Sequence, residues 1–479
     1  RQLSVSLGFR DEFTTGYNEA HGRAATYTFT NGVISTQPHI GDSAFTVNNR
    51  KFLPQPRIGL AWSPFKNTNK TVIRAGFGMY NDLQDALGYR TDQNAPFNPT
   101  YTLPNITVSQ LPILPSAPVP AAAKLVAGGV QPDLQTPTLI SWSLRIQQAI
   151  TRNTSLTVGY VGSHGYHEIL GIDANEPFPV LCPAAPCPAT YPGSFPAGIA
   201  GKSVPAGTYF VPTAIKANPL LANTWTYFSE ATSSYNALQV DVNHRFSSSF
   251  SLRGAYTWSK TLDDGDSPNA TTSGGEPALA SNPFHLRLDW GPANFDVRNA
   301  AAINAVYELP FGQGRRFLHD GGGIAHTLVS GWTVTSIVTL QSGFPFTPQL
   351  SYNPSNNGDT RNPVRPFVNP AFTGPIVTGD PNQWFNPAAF LAPPNNSGFY
   401  GNLGRDTLTG PGLATLDMSF LKDTRIREGL NLQFRAEIFN LLNRANFNTP
   451  NAITFTPSGT SPTAGLITST STTSRQVQF

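Results

Sequence analysis

The chain alternates apolar and polar residues with a period of two in about a dozen separate segments. That pattern predicts strands with one greasy face, not helices. The clearest segment is 430–438, where Leu430, Leu432, Phe434, Ala436 and Ile438 alternate with Asn431, Gln433, Arg435 and Glu437. Residues 235–246 set Leu238, Val240 and Val242 against Gln239, Asp241, Asn243 and Arg245. Residues 250–258 set Phe250, Leu252, Tyr256 and Trp258 against Ser251, Arg253 and Thr257. Similar segments lie at 2–10, 56–63, 71–80, 139–150, 154–163, 297–309, 330–342, 413–422 and, in short form, 474–479. Most have the roughly 9–11 residues that a tilted strand needs to cross a bilayer.

A half-buried sheet in a soluble sandwich would alternate too. The connections favour the membrane. They run long (11–55), short (64–70), long (81–138), short (151–153), long (164–234), short (247–249), long (261–296), intermediate (310–329), long (343–412), short (423–428) and long (441–473). Short turns on one side and long loops on the other are the habit of an outer-membrane barrel. Composition agrees. Only 12% of residues are charged, about half the share of an ordinary soluble domain. Gly at 42 and Pro at 43 suit turns, and Phe at 31 and Tyr at 15 suit strands. No run reaches the roughly 20 apolar residues of a membrane helix. A formal charge of +3 makes no case for nucleic acid.

The expected fold is therefore an all-β, antiparallel transmembrane outer-membrane β-barrel. A barrel turns its apolar residues to lipid and its polar ones to the lumen. Arg145, Asp241, Arg245, Arg253, Asp417, Arg435 and Glu437 are expected to face that lumen. Trp62, Trp142, Tyr256, Trp258 and Trp332 fall near strand ends, as aromatic girdles at the two interfaces would; core tryptophans at strand ends are the alternative. Cys182 and Cys187 sit in LCPAAPCP and are a possible loop disulfide.

The residues then fall into a known order. PRIGLAW (56–62), RAGFGMY (74–80), SSYNALQV (233–240), AYTWSK (255–260), NFDVR (294–298), YELPFGQGRR (307–316), LQSGFPF (340–346) and RAEIFNLLN (435–443) resemble the barrel of Oar-like TonB-dependent transporters. The resemblance runs over essentially the whole chain. It implies a barrel of about 22 strands around an internal plug, of which this chain would supply about twelve. A signal peptide, an N-terminal regulatory-like domain and the plug would precede residue 1, and the final strand would continue past Phe479. Implied partners are outer-membrane lipid, the plug, an inner-membrane energy-transducing complex and an extracellular ligand. No cofactor is implied. An excised portion should have open edges near 2–10 and 474–479.

Catalytic patterns do not hold up. His167-Glu168 begins like a zinc-protease motif, but Gly171 stands where the second histidine belongs. Gly162-Ser163-His164-Gly165 reads as a loop start and Gly312-Gln313-Gly314 as a turn. Asp263-Asp264-Gly265-Asp266 lacks the rest of a Ca²⁺ loop and reads as a solvated loop. The aromatics Tyr191, Phe195, Tyr209, Phe210, Trp225, Tyr227 and Phe228 stack on a ligand or pack on one another. The expected function is uptake of a bulky ligand (iron chelate, oligosaccharide or peptide), not catalysis. A surface-binding or adhesion protein on a barrel anchor and a soluble extracellular β-protein are the alternatives.

Overall fold

The computed structural model describes residues 2–479 except 17, 66–69, 84–93, 104–106, 108, 110–121, 182–206, 213, 266–278, 313–314, 319–322, 360, 362–364 and 394–396. Twelve strands follow one another in a single antiparallel meander. They are β1 (Leu3–Glu12), β2 (Leu53–Trp62), β3 (Thr71–Asn81), β4 (Thr138–Ala149), β5 (Thr154–Ile172) and β6 (Trp225–Arg245). They continue as β7 (Phe250–Asp263), β8 (Asn299–Glu308), β9 (Trp332–Gln341), β10 (Leu413–Arg427), β11 (Leu430–Phe439) and β12 (Gln476–Gln478). Each expected segment is a strand. Two short pieces, Gly128–Val130 and Gly291–Pro292, add to β6 and β7. Among the described residues β1 and β12 each have one neighbour, so the sheet is open at both.

The registers divide the sheet into two faces. Leu7, Ile58, Phe77, Trp142, Tyr160, Leu238, Tyr256, Ile303, Val338, Leu416 and Ile438 belong to one side across β1 to β11. That side is not covered by a second protein layer: Leu7 is 77% exposed, Ile58 51% and Leu432 59%. A soluble sandwich would bury these residues. Most buried apolar residues lie instead in the loops and strand extensions. One cluster joins Phe346, Leu350, Phe385, Phe390, Leu408 and Phe455. Another joins Phe45, Val130, Leu134, Ile169 and Tyr227. The molecule is thus inside out, with its greasy strands facing solvent and its conventional core above one end.

Two connections differ from expectation. Residues 164–234 are not all loop, because β5 runs on to Ile172 and β6 begins at Trp225. Register shifts between Gly165, Glu168 and Leu170 mark bulges, and His167 has a positive φ of 56° there. Bulges bend a strand and raise its twist. Beyond them the hairpin stays paired and enters the loop core, where Ile169 and Tyr227 are buried. The turn placed at 423–428 is tighter, since Arg427 pairs with Leu430. Gly429 (φ 78°) supplies the left-handed residue that so short a turn needs. The intermediate connection holds a helix, α1 (Gly323–Val329).

Candidate functional site: the polar face and the loop layer

The seven charged residues singled out from the sequence all stand on the side opposite the apolar one. Arg145 pairs in register with Gly159, and Gly159 with Gln239. A Cβ on Gly159 would lie 3.0 Å from Arg145 Cγ. With no side chain there, the arginine reaches across the strand, and its Nη2 donates to Gln239 Oε1 at 3.1 Å. Arg253 donates to Asp241 Oδ2 through Nε (2.9 Å) and Nη2 (2.8 Å). Arg435 lies 3.6 Å from Glu437. Asp417 accepts from the Asn440 N–H at 2.7 Å, and Arg245 donates to the Ser247 carbonyl at 3.2 Å. Apart from the part-buried Asp417 contact these are exposed, each worth about 1 kcal/mol or less. They set the chemistry of a surface more than its stability.

The five aromatics stand on the apolar side; Trp62 and Trp332 are terminal residues of β2 and β9, whereas Trp142 lies inside β4 and Tyr256 and Trp258 lie inside β7. Trp142 lies over Gly162, where an added Cβ would meet its ring at 2.5 Å. Trp332 donates its indole N–H to the Leu328 carbonyl at 2.8 Å. Tyr256 donates to Asn299 Oδ1 at 2.7 Å. Trp62 is 44% and Trp258 53% exposed. Lys260 and Lys422 are charges on this side, toward opposite ends of the sheet because β7 and β10 run in opposite directions. Lys422 is buried against α1, and its Nζ donates to the Thr327 and Ser330 carbonyls at 2.6 Å each. That is where a cation completes a helix C-terminus.

The loop layer is knitted by arginines of the long connection between β9 and β10. Arg365 lies 2.7 Å from Asp289, with both side chains buried. Arg405 pairs with Asp263 and donates its Nε to the Asp289 carbonyl at 2.8 Å. Asp263 is therefore the buried end of β7, not part of a solvated loop. Asp264 accepts from the Thr232 N–H at 2.7 Å, and Asp266 lies outside the described residues. Arg361 donates its Nε to Asp359 Oδ1 at 2.9 Å and approaches Asp173 to 3.7 Å.

Around Arg361, three buried carboxylates converge. Oxygens of Asp173, Glu176 and Asp359 lie within 4.8 Å of one another. Burial and the neighbouring Asp359 push Asp173 up to about 6. Burial acts on Asp359 in the same direction, but hydrogen bonds from Arg361 outweigh it and hold Asp359 down to about 2. Tyr400 donates to Glu176 Oε2 at 3.4 Å, and burial raises its phenol well above the usual range. The donor set is the hard-oxygen type that suits a divalent cation. Arg361 already meets two of its carboxylates, so the arrangement is an ion-pair knot. Sequence reasoning missed it because 183 and 186 positions separate Asp359 from Glu176 and Asp173, and no local spacing links them.

The remaining motifs take structural places. Gly162-Ser163-His164-Gly165 and His167-Glu168 lie inside β5 rather than at a loop start, and Glu168 accepts from the Ser233 hydroxyl at 2.8 Å. Tyr227 is 1% exposed, and Phe228 packs on Phe29 with centroids 5.6 Å apart. Tyr209 packs on His285 at 4.2 Å and Phe210 on Phe399 at 6.2 Å. Those loop aromatics pack on protein. Cys182, Cys187, Tyr191 and Phe195 lie outside the described residues.

A twelve-strand antiparallel sheet that shows its greasy side to solvent and keeps most of its charges on the other is the wall of an outer-membrane barrel. The chain belongs to the outer membrane beta barrel domain family, whose sequence model matches residues 1–478. Its location is accordingly the bacterial outer membrane. No curated protein matches it. Among solved structures it is similar to the outer membrane transporter YddB from Escherichia coli, at 11% identity and a TM-score of 0.44, over 86% of this chain and 39% of that one. It is also similar to the siderophore receptor PiuA from Acinetobacter baumannii, at 9% identity and a TM-score of 0.40, over 99% and 40%. The chain thus spans less than half the length of these structures.

Proposed function

We propose that this chain is wall and outer loops of a TonB-dependent receptor that takes up a bulky ligand through a plugged lumen. The observation that carries the reading is the polar face. It is charged at a few places and thinly lined at many, with Ser6, Gly8, Gly59, Gly76, Ser141 and Ser143 among its β1–β4 residues. Such small residues leave room for a separate plug to pack there, as barrels of this width require. The ordered run of sequence motifs supports the same class. In this reading the inner-membrane energy-transducing complex acts through segments outside this chain. The ligand class is iron chelate, oligosaccharide or peptide, met first by the loop layer, and the chain contributes binding and enclosure without catalysis.

An adhesion protein would use the same loops, but its binding would not depend on cellular energy. The discriminating experiment is ligand accumulation by cells expressing the complete gene, with and without a protonophore. Transport predicts accumulation that the protonophore abolishes. Surface binding that is indifferent to it overturns the transport reading.

A further inference from the structure

The loop layer holds a cavity of about 550 Å³, within the roughly 300–1,000 Å³ of small-ligand sites. Three long connections and the β5–β6 hairpin build it. Its lining includes the apolar side chains of Phe29, Phe228, Phe284 and Ile172. Phe29 and Phe228 pack at 5.6 Å, and Phe284 packs on Phe178 at 4.7 Å, so these rings are held in place. The lining also carries two exposed carboxylates, Asp133 and Glu230, which repel one another. Among the described residues neither carboxylate has a salt bridge or a hydrogen bond. Elsewhere in this layer Asp263, Asp289 and Asp359 each have an arginine. Two unneutralised carboxylates and several aromatic rings lining one cavity are complementary to a cation with an apolar body, because ring faces attract cations as well.

We propose that this cavity binds a cationic amphipathic ligand, an ammonium or guanidinium group joined to a ring-bearing body. The proposal rests on the receptor reading above and narrows its ligand class toward basic peptides and similar cations. The charged group sits between Asp133 and Glu230, and the body lies against Phe29, Phe228 and Phe284. Iron chelates of net negative charge are disfavoured here by the same two carboxylates.

The test uses the full-length protein in detergent and two probes: the N-acetylated dipeptide amide of phenylalanine and arginine, and its N-acetylated counterpart with glutamate in place of arginine. Calorimetry should show saturable binding of the first alone, weakening as salt is raised. The Asp133→Asn/Glu230→Gln double variant should weaken it about tenfold. Equal binding of both probes, binding of neither, or an unchanged affinity in a double variant that still migrates as folded barrel overturns the assignment. Uptake in energised cells is read separately. Binding without uptake overturns the transport reading and leaves the site standing; uptake without probe binding does the reverse.

Discussion

Replacing Ile303 by arginine should separate a membrane wall from any other two-faced sheet. Ile303 is the fifth of ten residues in β8, is 39% exposed on the apolar side, and pairs with Gly254 and Val338. If lipid covers that side, the position is near the midplane, where an arginine costs about 2–4 kcal/mol. The neighbouring Ala302 points the other way, between Ala255 and Thr339, whose small side chains leave room for an arginine. Ala302→Arg should therefore cost no more than about 0.5 kcal/mol, as at other surface positions. A third variant, Val334→Arg, lies nearer the short-turn end of β9, where the cost should fall to about 0–1 kcal/mol. The assay is urea unfolding of the full-length protein in phospholipid vesicles. With an m-value of about 1–3 kcal/mol/M, Ile303→Arg should lower the midpoint by on the order of 1 M relative to Ala302→Arg. Equal midpoints for the two would refute the claim that lipid is the solvent of this face.

Arg405→Ala should strand the buried carboxylate of Asp263 and cost about 3–5 kcal/mol of loop-layer stability, seen as faster hydrogen exchange and protease nicking within 343–412; the Arg405→Met/Asp263→Asn pair should recover most of it. Asp173 has a folded pKa of about 6 against the ordinary 3.8, so the folded loops bind the extra proton between those values. Loop stability should therefore rise as pH falls from about 6 toward 4. Asp173→Asn should flatten that slope, and hydrogen exchange at Thr224 across this range is the readout. Gly162→Val would drive a side chain into the Trp142 ring and should cost about 1–3 kcal/mol, with a shift in tryptophan emission as the ring is displaced.

Much of the wall was legible because a strand's side chains alternate whatever lies around it. Leu430 to Ile438 announces its two faces without reference to any other segment. Long loops on one side follow equally from chain order. What the alternation lacks is any signal beyond the membrane. In Glu168, Ile169, Leu170 and Ile172 the pattern breaks at bulges, so the extended β5–β6 hairpin looked like loop. Asp263 looked like one of a hydrophilic run, because its partner Arg405 is 142 residues away.

The sequence alone determined the strands, their order, which side of each is greasy and which end bears the long loops. All of these follow from local periodicity and from the cost of putting charge in lipid. Tertiary structure alone decided the loop core, the Arg361 knot and the cavity between Phe228 and Glu230. Those are made by contacts between residues far apart in the chain, whose pairing is set by packing and charge neutralisation and leaves no periodic trace in any one segment.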